Sequence, residues 1–205
     1  MATKNYGVND IMEWNFVPVD LPLEWLEHLG TLSEGARILV RGRAKHGKTS
    51  YVLRLSKAYA THVGKVNYNS TEQGKTSGFK KTFIREGMQS VAGKFMLCSP
   101  DQKNFDVWFK KLQGKNQGKV IVLDSLDYQQ TTFEQFKQLN DRFPTKTIIL
   151  VCWHDNKVSK KLEYMMDAIV EVKDFKAYCI SREGGGKPFI IKAKQLTAGD
   201  QPSLF

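Results

Sequence analysis

Short apolar runs alternate with longer stretches of helical spacing along most of this chain. Arg37–Arg41 (RILVR), Lys65–Ser70 (KVNYNS), Phe95–Ser99, Val120–Asp124 (VIVLD) and Thr147–Trp153 (TIILVCW) read as buried strands. Between them, Gly47–His62, Phe79–Met88, Gln102–Gln113 and Phe133–Arg142 carry apolar residues at helical spacing. Strands separated by helices in this way predict βαβ units and a mostly parallel sheet. From Ala168 the rhythm changes. Three closely spaced strands, Ala168–Lys173, Ala177–Arg182 and Pro188–Lys192, are separated only by Gly- and charge-rich turns. They predict an antiparallel extension of the sheet. Ahead of the first strand, the aromatic, proline-bearing stretch from Ile11 reads as an extended lead-in followed by a short helix over Leu23–Leu29. The expected organisation is an extended segment (1–20), one α/β core (21–194) and a flexible tail (195–205).

Charge narrows the class of partner. The 31 Lys and Arg against 21 Asp and Glu leave a formal charge of +10, which points to a polyanion, nucleic acid first. Charge alone does not separate that reading from an ordinary basic protein. No run approaches the roughly 20 apolar residues that span a bilayer. The start, MATKNYGVND, lacks the basic-then-apolar order of a signal peptide, so the expectation is a cytoplasmic protein without a membrane partner. Cys98, Cys152 and Cys179 lie far apart in apolar runs without metal-ligand spacing, and read as buried, reduced thiols.

The strongest chemical signal is Gly42–Thr49, GRAKHGKT, which fits G-x-x-x-x-G-K-[ST] at every fixed position. Gly42 and Gly47 let the backbone N–H groups of Arg43, Ala44, Lys45 and His46 turn inward onto phosphate oxygens. The helix that follows, with Ser50 in its first turn, adds its positive end. Lys48 is expected to reach the β- and γ-phosphates of ATP, and the Thr49 hydroxyl to ligate magnesium. Asp124 ends the VIVLD strand at the edge where a magnesium-holding carboxylate is needed. Glu72 follows the KVNYNS strand at the same edge, placed to orient and deprotonate an attacking water.

The succession GRAKHGKT, KVNYNSTEQ, VIVLDS and ILVCWHDNK resembles the core of the RecA/RadA/DnaB superfamily of P-loop ATPases, over about Leu21–Lys192. That resemblance implies a RecA-like fold and gives Glu72 the catalytic role, since Ser70–Glu72 matches the family's S-x-E-type segment. Asp124 and Ser125 match its Asp-Ser strand end, and His154 matches a histidine that senses the γ-phosphate and leads into a DNA-binding loop. The segment Cys179–Gly186 (CISREGGG) is similar to a K-x-R-x-G hairpin that reaches a neighbouring subunit's ATP. Arg182 fits the arginine, while Ile180 stands where lysine is expected. The layout, a bare core, is similar to small phage-encoded single-domain RecA-like recombinases.

The resemblance also places single-stranded DNA at the loop His154–Glu163, where Lys157, Lys160 and Lys161 would neutralise phosphates. Trp153 could stack bases if exposed, but as the continuation of an apolar strand it reads as core. The loop Leu126–Thr132 offers Tyr128 for stacking, and Lys75–Arg85 is a further basic stretch. The terminal QPSLF resembles a peptide that docks on the DNA sliding clamp, with Gln201 as a polar anchor and Leu204 and Phe205 as apolar plugs. Together these imply a homo-oligomeric, DNA-dependent ATPase acting in recombination, repair or annealing. A helicase-like motor, a helicase loader and a slow ATP-gated switch recruited to the clamp share the same motifs. A nucleotide kinase needs an arginine-rich lid, which the sequence does not offer.

Overall fold

The computed structural model describes residues 5–98, 104–154 and 156–191. The elements in chain order are α1 (Val8–Met12), α2 (Leu23–Leu29), β1 (Arg37–Arg41), α3 (Lys48–His62), β2 (Val66–Ser70), α4 (Ser77–Arg85) and β3 (Phe95–Cys98). There follow α5 (Phe105–Leu112), β4 (Val120–Asp124), α6 (Leu126–Gln129), α7 (Phe133–Arg142), β5 (Thr147–Cys152) and α8 (Lys157–Leu162). The last three are β6 (Ala168–Lys173), β7 (Lys176–Ser181) and β8 (Phe189–Ile190). They build one sheet in the order β3-β2-β4-β5-β1-β6-β7-β8. Strands β3 to β6 of that order run parallel, and β7 and β8 add antiparallel. This is the α/β architecture with an antiparallel extension that the pattern predicts.

The central strands are apolar on both faces because both faces are covered. Ile38, Val40, Val122, Ile149 and Val151 pack under α2 and α3, while Leu39, Ile121, Leu123, Ile148 and Leu150 pack under α5 and α7. Helix α3 is buried on most of its circumference, from Tyr51 and Val52 through Tyr59. A polar knot fastens α4 to it. Buried Glu86 accepts from Arg54 Nε (2.6 Å) and Arg85 Nε (3.1 Å), and Arg85 Nη2 donates to Ser50 Oγ at 2.8 Å. Arg85 is thereby tied to α3, while Lys80 and Lys81 face solvent. The three cysteines are buried and unpaired.

Three local expectations are corrected. The segment 1–20 is not wholly extended, because Gly7 opens α1, whose Asp10 carboxylate accepts from the Gly7 N–H at 2.8 Å. His154–Glu163 is not an open loop: Asn156 caps α8 by accepting from Ser159 N–H at 2.8 Å. Residues 126–129 form one helical turn capped by Ser125 rather than a loop. Among the described residues no helix is long and apolar enough to cross a membrane. Gln201, Leu204 and Phe205, and with them the sliding-clamp reading of the tail, lie outside the described residues.

Candidate active site

The carboxyl edge of the parallel sheet gathers the chemistry-bearing residues. Gly42 leaves β1 and is required by close approach, since a Cβ there would stand 2.2 Å from Val172 O. Lys45 (φ 66°) and Gly47 (φ 99°) take left-handed backbone conformations, which curl the loop into a cup ahead of α3. Gly47 offers α3 no side-chain cap, so the first-turn N–H groups are available to an anion. Lys48 is buried, and its Nζ donates to Gly42 O (2.6 Å) and Arg43 O (3.0 Å). Burial lowers its pKa, and the charges of Glu72 and then Asp124 act against that shift. The Thr49 hydroxyl accepts from Gln73 Nε2 at 3.2 Å. These groups suit a triphosphate and a hard divalent cation: a donor-rich cup, one ammonium, a hydroxyl and a carboxylate.

Asp124 is only 2% exposed, and its Oδ2 accepts from the Tyr68 hydroxyl at 2.6 Å. Burial pushes its pKa up to about 6, with Glu72 adding to the rise and Tyr68 and Lys48 opposing it. Thr71 holds the strand ends in register. Its N–H donates to Asp124 O at 2.6 Å, its hydroxyl donates to Ser125 O at 3.0 Å, and Ser125 N–H donates back to Thr71 Oγ1 at 2.9 Å. The Asp124–Ser125 peptide is cis. Glu72, next along, is half-buried, and burial and then Asp127 raise its pKa while Lys48 draws it down. A base raised in this way sits nearer neutral pH, where proton abstraction is most effective.

Burying the Asp124 charge has a cost that the ligand-free protein carries. The raised value means that neutral Asp124 favours folding fully below about pH 4, and that the contribution is lost as pH rises through about 6. At pH 7 the penalty for a shift of this size is about 2–3 kcal/mol. We therefore expect Asp124→Asn to raise the melting temperature of the nucleotide-free protein at pH 7 by roughly 5–10 °C. The gain shrinks toward pH 4, and a melting temperature unchanged across that range would contradict this account of Asp124.

Two walls flank the phosphate cup. On one side, the β6–β7 turn carries Asp174 (φ 48°) and Phe175 (φ 57°) and rests on the loop. Asp174 N–H donates to His46 Nδ1 at 3.0 Å, Phe175 N–H donates to His46 O at 3.2 Å, and the Phe175 ring lies against Gly47. His154 lies beside Glu171 (Nδ1–Oε1 3.6 Å), and both line a small cavity of about 200 Å³ with Gly42, Arg43 and His46. On the other side, Asp127 accepts from Trp153 N–H (2.8 Å) and Asn156 Nδ2 (2.7 Å), fixing the start of α8 against the turn after β4. Arg41, the residue before Gly42, pairs with Glu163 at the far end of the same helix.

Beyond Asp127 opens a groove of about 800 Å³. Tyr128 (44% exposed) and Trp153 (48% exposed) stand edge to face in it, ring centroids 6.0 Å apart. This corrects the reading of Trp153 as core: it follows β5 directly, past the last covered position. Lys157 and Lys161 line the groove with them, and Lys160, also on α8, faces solvent. Arg182 lies elsewhere. It follows β7 at the edge opposite its own phosphate loop, where Ser181 pairs with Ala168 and Arg182 Nη2 donates to Tyr164 O at 2.8 Å. It cannot serve the nucleotide of its own chain.

The fold and the loop together define a P-loop core of the RecA-like type. Among solved structures, flagellar accessory protein FlaH of Methanocaldococcus jannaschii is similar over 87% of this chain and 96% of its own, with 18% identity and a TM-score of 0.59. A KaiC-like protein of the hyperthermophilic archaeon Pyrococcus horikoshii is similar over 86% of this chain and 94% of its own, with 16% identity and a TM-score of 0.60. No family model matches the chain, and no curated protein matches it.

Sequence reasoning missed Tyr68, Thr71, Asp127 and Phe175. Tyr68 read as one more strand residue, although its position two before Ser70 put it on the face shared with the P-loop helix. The partners of Asp127, the Trp153 N–H and the Asn156 side-chain amide, lie on a distant segment, which no spacing rule reveals.

Proposed function

We propose that this protein is a DNA-dependent ATPase of the RecA type, acting on single-stranded DNA in recombination, repair or annealing. The observation that carries the reading is the direct bond, through Asp127, between the turn after Asp124 and the start of a helix lined with lysines beside two exposed aromatic rings. In this reading the loop amides and Lys48 hold the triphosphate, Thr49 and Asp124 hold magnesium, and Glu72 takes the proton of the attacking water. Bound magnesium supplies charge neutralisation across the phosphates. His154 stands between the loop and Glu171, where it can respond to phosphate. Arg182 serves a neighbouring copy, which its position at the far edge favours. The two similar folds support a nucleotide-driven core without saying what it acts on.

ATP turnover with and without single-stranded DNA tests this reading. Turnover is expected to rise at least about tenfold with DNA, and Lys48→Ala to abolish it in both conditions. Turnover indifferent to DNA overturns the reading. Asp127→Asn is expected to keep DNA-free turnover within about twofold while losing most of the stimulation, because the amide cannot accept both bonds. Asp127→Glu is expected to restore part of it.

A further inference from the structure

The hydroxyl read as a magnesium ligand already has a partner within the chain. Thr49 Oγ1 accepts from Gln73 Nε2 at 3.2 Å, and Gln73 is the residue after Glu72. A threonine hydroxyl has one proton to give and two lone pairs. To ligate magnesium at about 2.1 Å, its oxygen must turn a lone pair to the cation. An amide N–H aimed at that oxygen then points its positive end at a doubly positive charge, the largest local charge that a site of this kind holds. The two contacts on Thr49 are therefore rivals.

The placement of Gln73 gives the rivalry a consequence. It sits in the turn between β2 and α4 that carries Glu72, closed by Gly74 in a left-handed conformation (φ 51°). Thr71 N–H donates to Asp124 O at 2.6 Å and Gly74 N–H to Ser70 Oγ at 3.3 Å, so the backbone on either side of Glu72 and Gln73 is fixed to the ends of β2 and β4. The segment that follows β2 then meets adjacent residues in the first turn of α3. Gln73 bonds Thr49, and Arg85 Nη2 donates to Ser50 Oγ at 2.8 Å. The two contacts differ in kind. Arg85 is held as well by the buried carboxylate of Glu86, whereas the Gln73 amide makes its one side-chain bond, among the described residues, to Thr49.

We propose that Gln73 is a positioning residue that competes with the cation for the Thr49 hydroxyl: its amide holds that hydroxyl, and the Glu72 turn with it, against α3 until the oxygen is taken as a ligand. Gln73 then sets how much magnesium the site needs. The turn that carries Glu72 is released from α3 only where a cation has arrived, so the base and the metal ligand change state together. A neutral hydrogen bond suits this use, being weak enough to yield to a metal–oxygen bond and strong enough to shift occupancy severalfold. The inference rests on the reading of Thr49 as a magnesium ligand, and it needs no DNA.

Calorimetric titration of ADP into the full chain, at a series of fixed Mg2+ concentrations, tests the proposal. The readout is the Mg2+ concentration at which magnesium has half its effect on ADP binding. In Gln73→Leu, similar in size and unable to donate, that concentration is expected to fall about two- to tenfold. Gln73→Ala is expected to share the fall, and the Mg2+ requirement of ATP turnover to move the same way. A side chain that merely supported the turn would on removal loosen the site and raise the requirement. In a Thr49→Ala background, where the contested oxygen is gone, Gln73→Leu is expected to change nothing. An unchanged or raised requirement in Gln73→Leu, or a fall that survives in the Thr49→Ala background, overturns the proposal alone. A Thr49→Ala protein with the wild-type Mg2+ requirement sinks the reading of Thr49 as a ligand, and the proposal with it.

Discussion

Glu72→Gln is expected to lower ATP turnover by about 10²–10⁴-fold while leaving ATP binding nearly intact. The glutamine keeps the size of the side chain and its place after β2, but it cannot take a proton from water. The surroundings argue that proton transfer is the role. Glu72 is half-buried with its pKa raised by burial, and it feels the charges of Lys48 and Asp127 and acts on Asp124. A purely structural carboxylate would be replaced by its amide at little cost. A single-turnover measurement beside a binding titration separates the outcomes. Loss of binding with the rate per bound ATP unchanged would place Glu72 in binding and leave the base unassigned.

The second large effect is expected in the groove beside α8. Trp153→Ala should weaken single-stranded DNA binding by roughly 1–3 kcal/mol, and Tyr128→Ala by a comparable or smaller amount. Their rings contact each other, so the double variant should lose less than the sum. Lys157→Ala and Lys161→Ala should act differently, flattening the salt dependence of binding by about one unit of slope per phosphate contact. Fluorescence anisotropy of a labelled oligonucleotide at several salt concentrations distinguishes the two. If Trp153→Ala binds as tightly as wild type at every concentration, the groove is not the DNA site.

The parallel core and the phosphate loop were legible because their determinants are local. A run such as VIVLD can only be buried on both faces, and GRAKHGKT constrains its own backbone. The carboxylates were legible one step further out, since the βαβ order alone puts the ends of β2 and β4 at one edge. The misreadings share a cause. Trp153 follows an apolar strand and looks buried, but strand register ends at Cys152, and only the third dimension shows that nothing covers the next residue. Helix α8 is short and strongly basic, and its one clear signal was the Asn156 cap. Tyr68, which holds Asp124, and Asp127, which holds the start of α8, act through bonds across the fold that periodicity does not encode.

Strand β7 begins beside the phosphate loop, at the turn that Phe175 rests on Gly47, and ends at Arg182 on the opposite edge. At the rise of an extended strand its six residues span roughly 20 Å, paired with β6 along their whole length and with β8 at Lys176 and Ala177. With Arg182 serving a neighbouring copy, as proposed above, a shift of that turn on nucleotide binding would reach the neighbour's site along a single strand, so each subunit's own occupancy would set the help it gives the next.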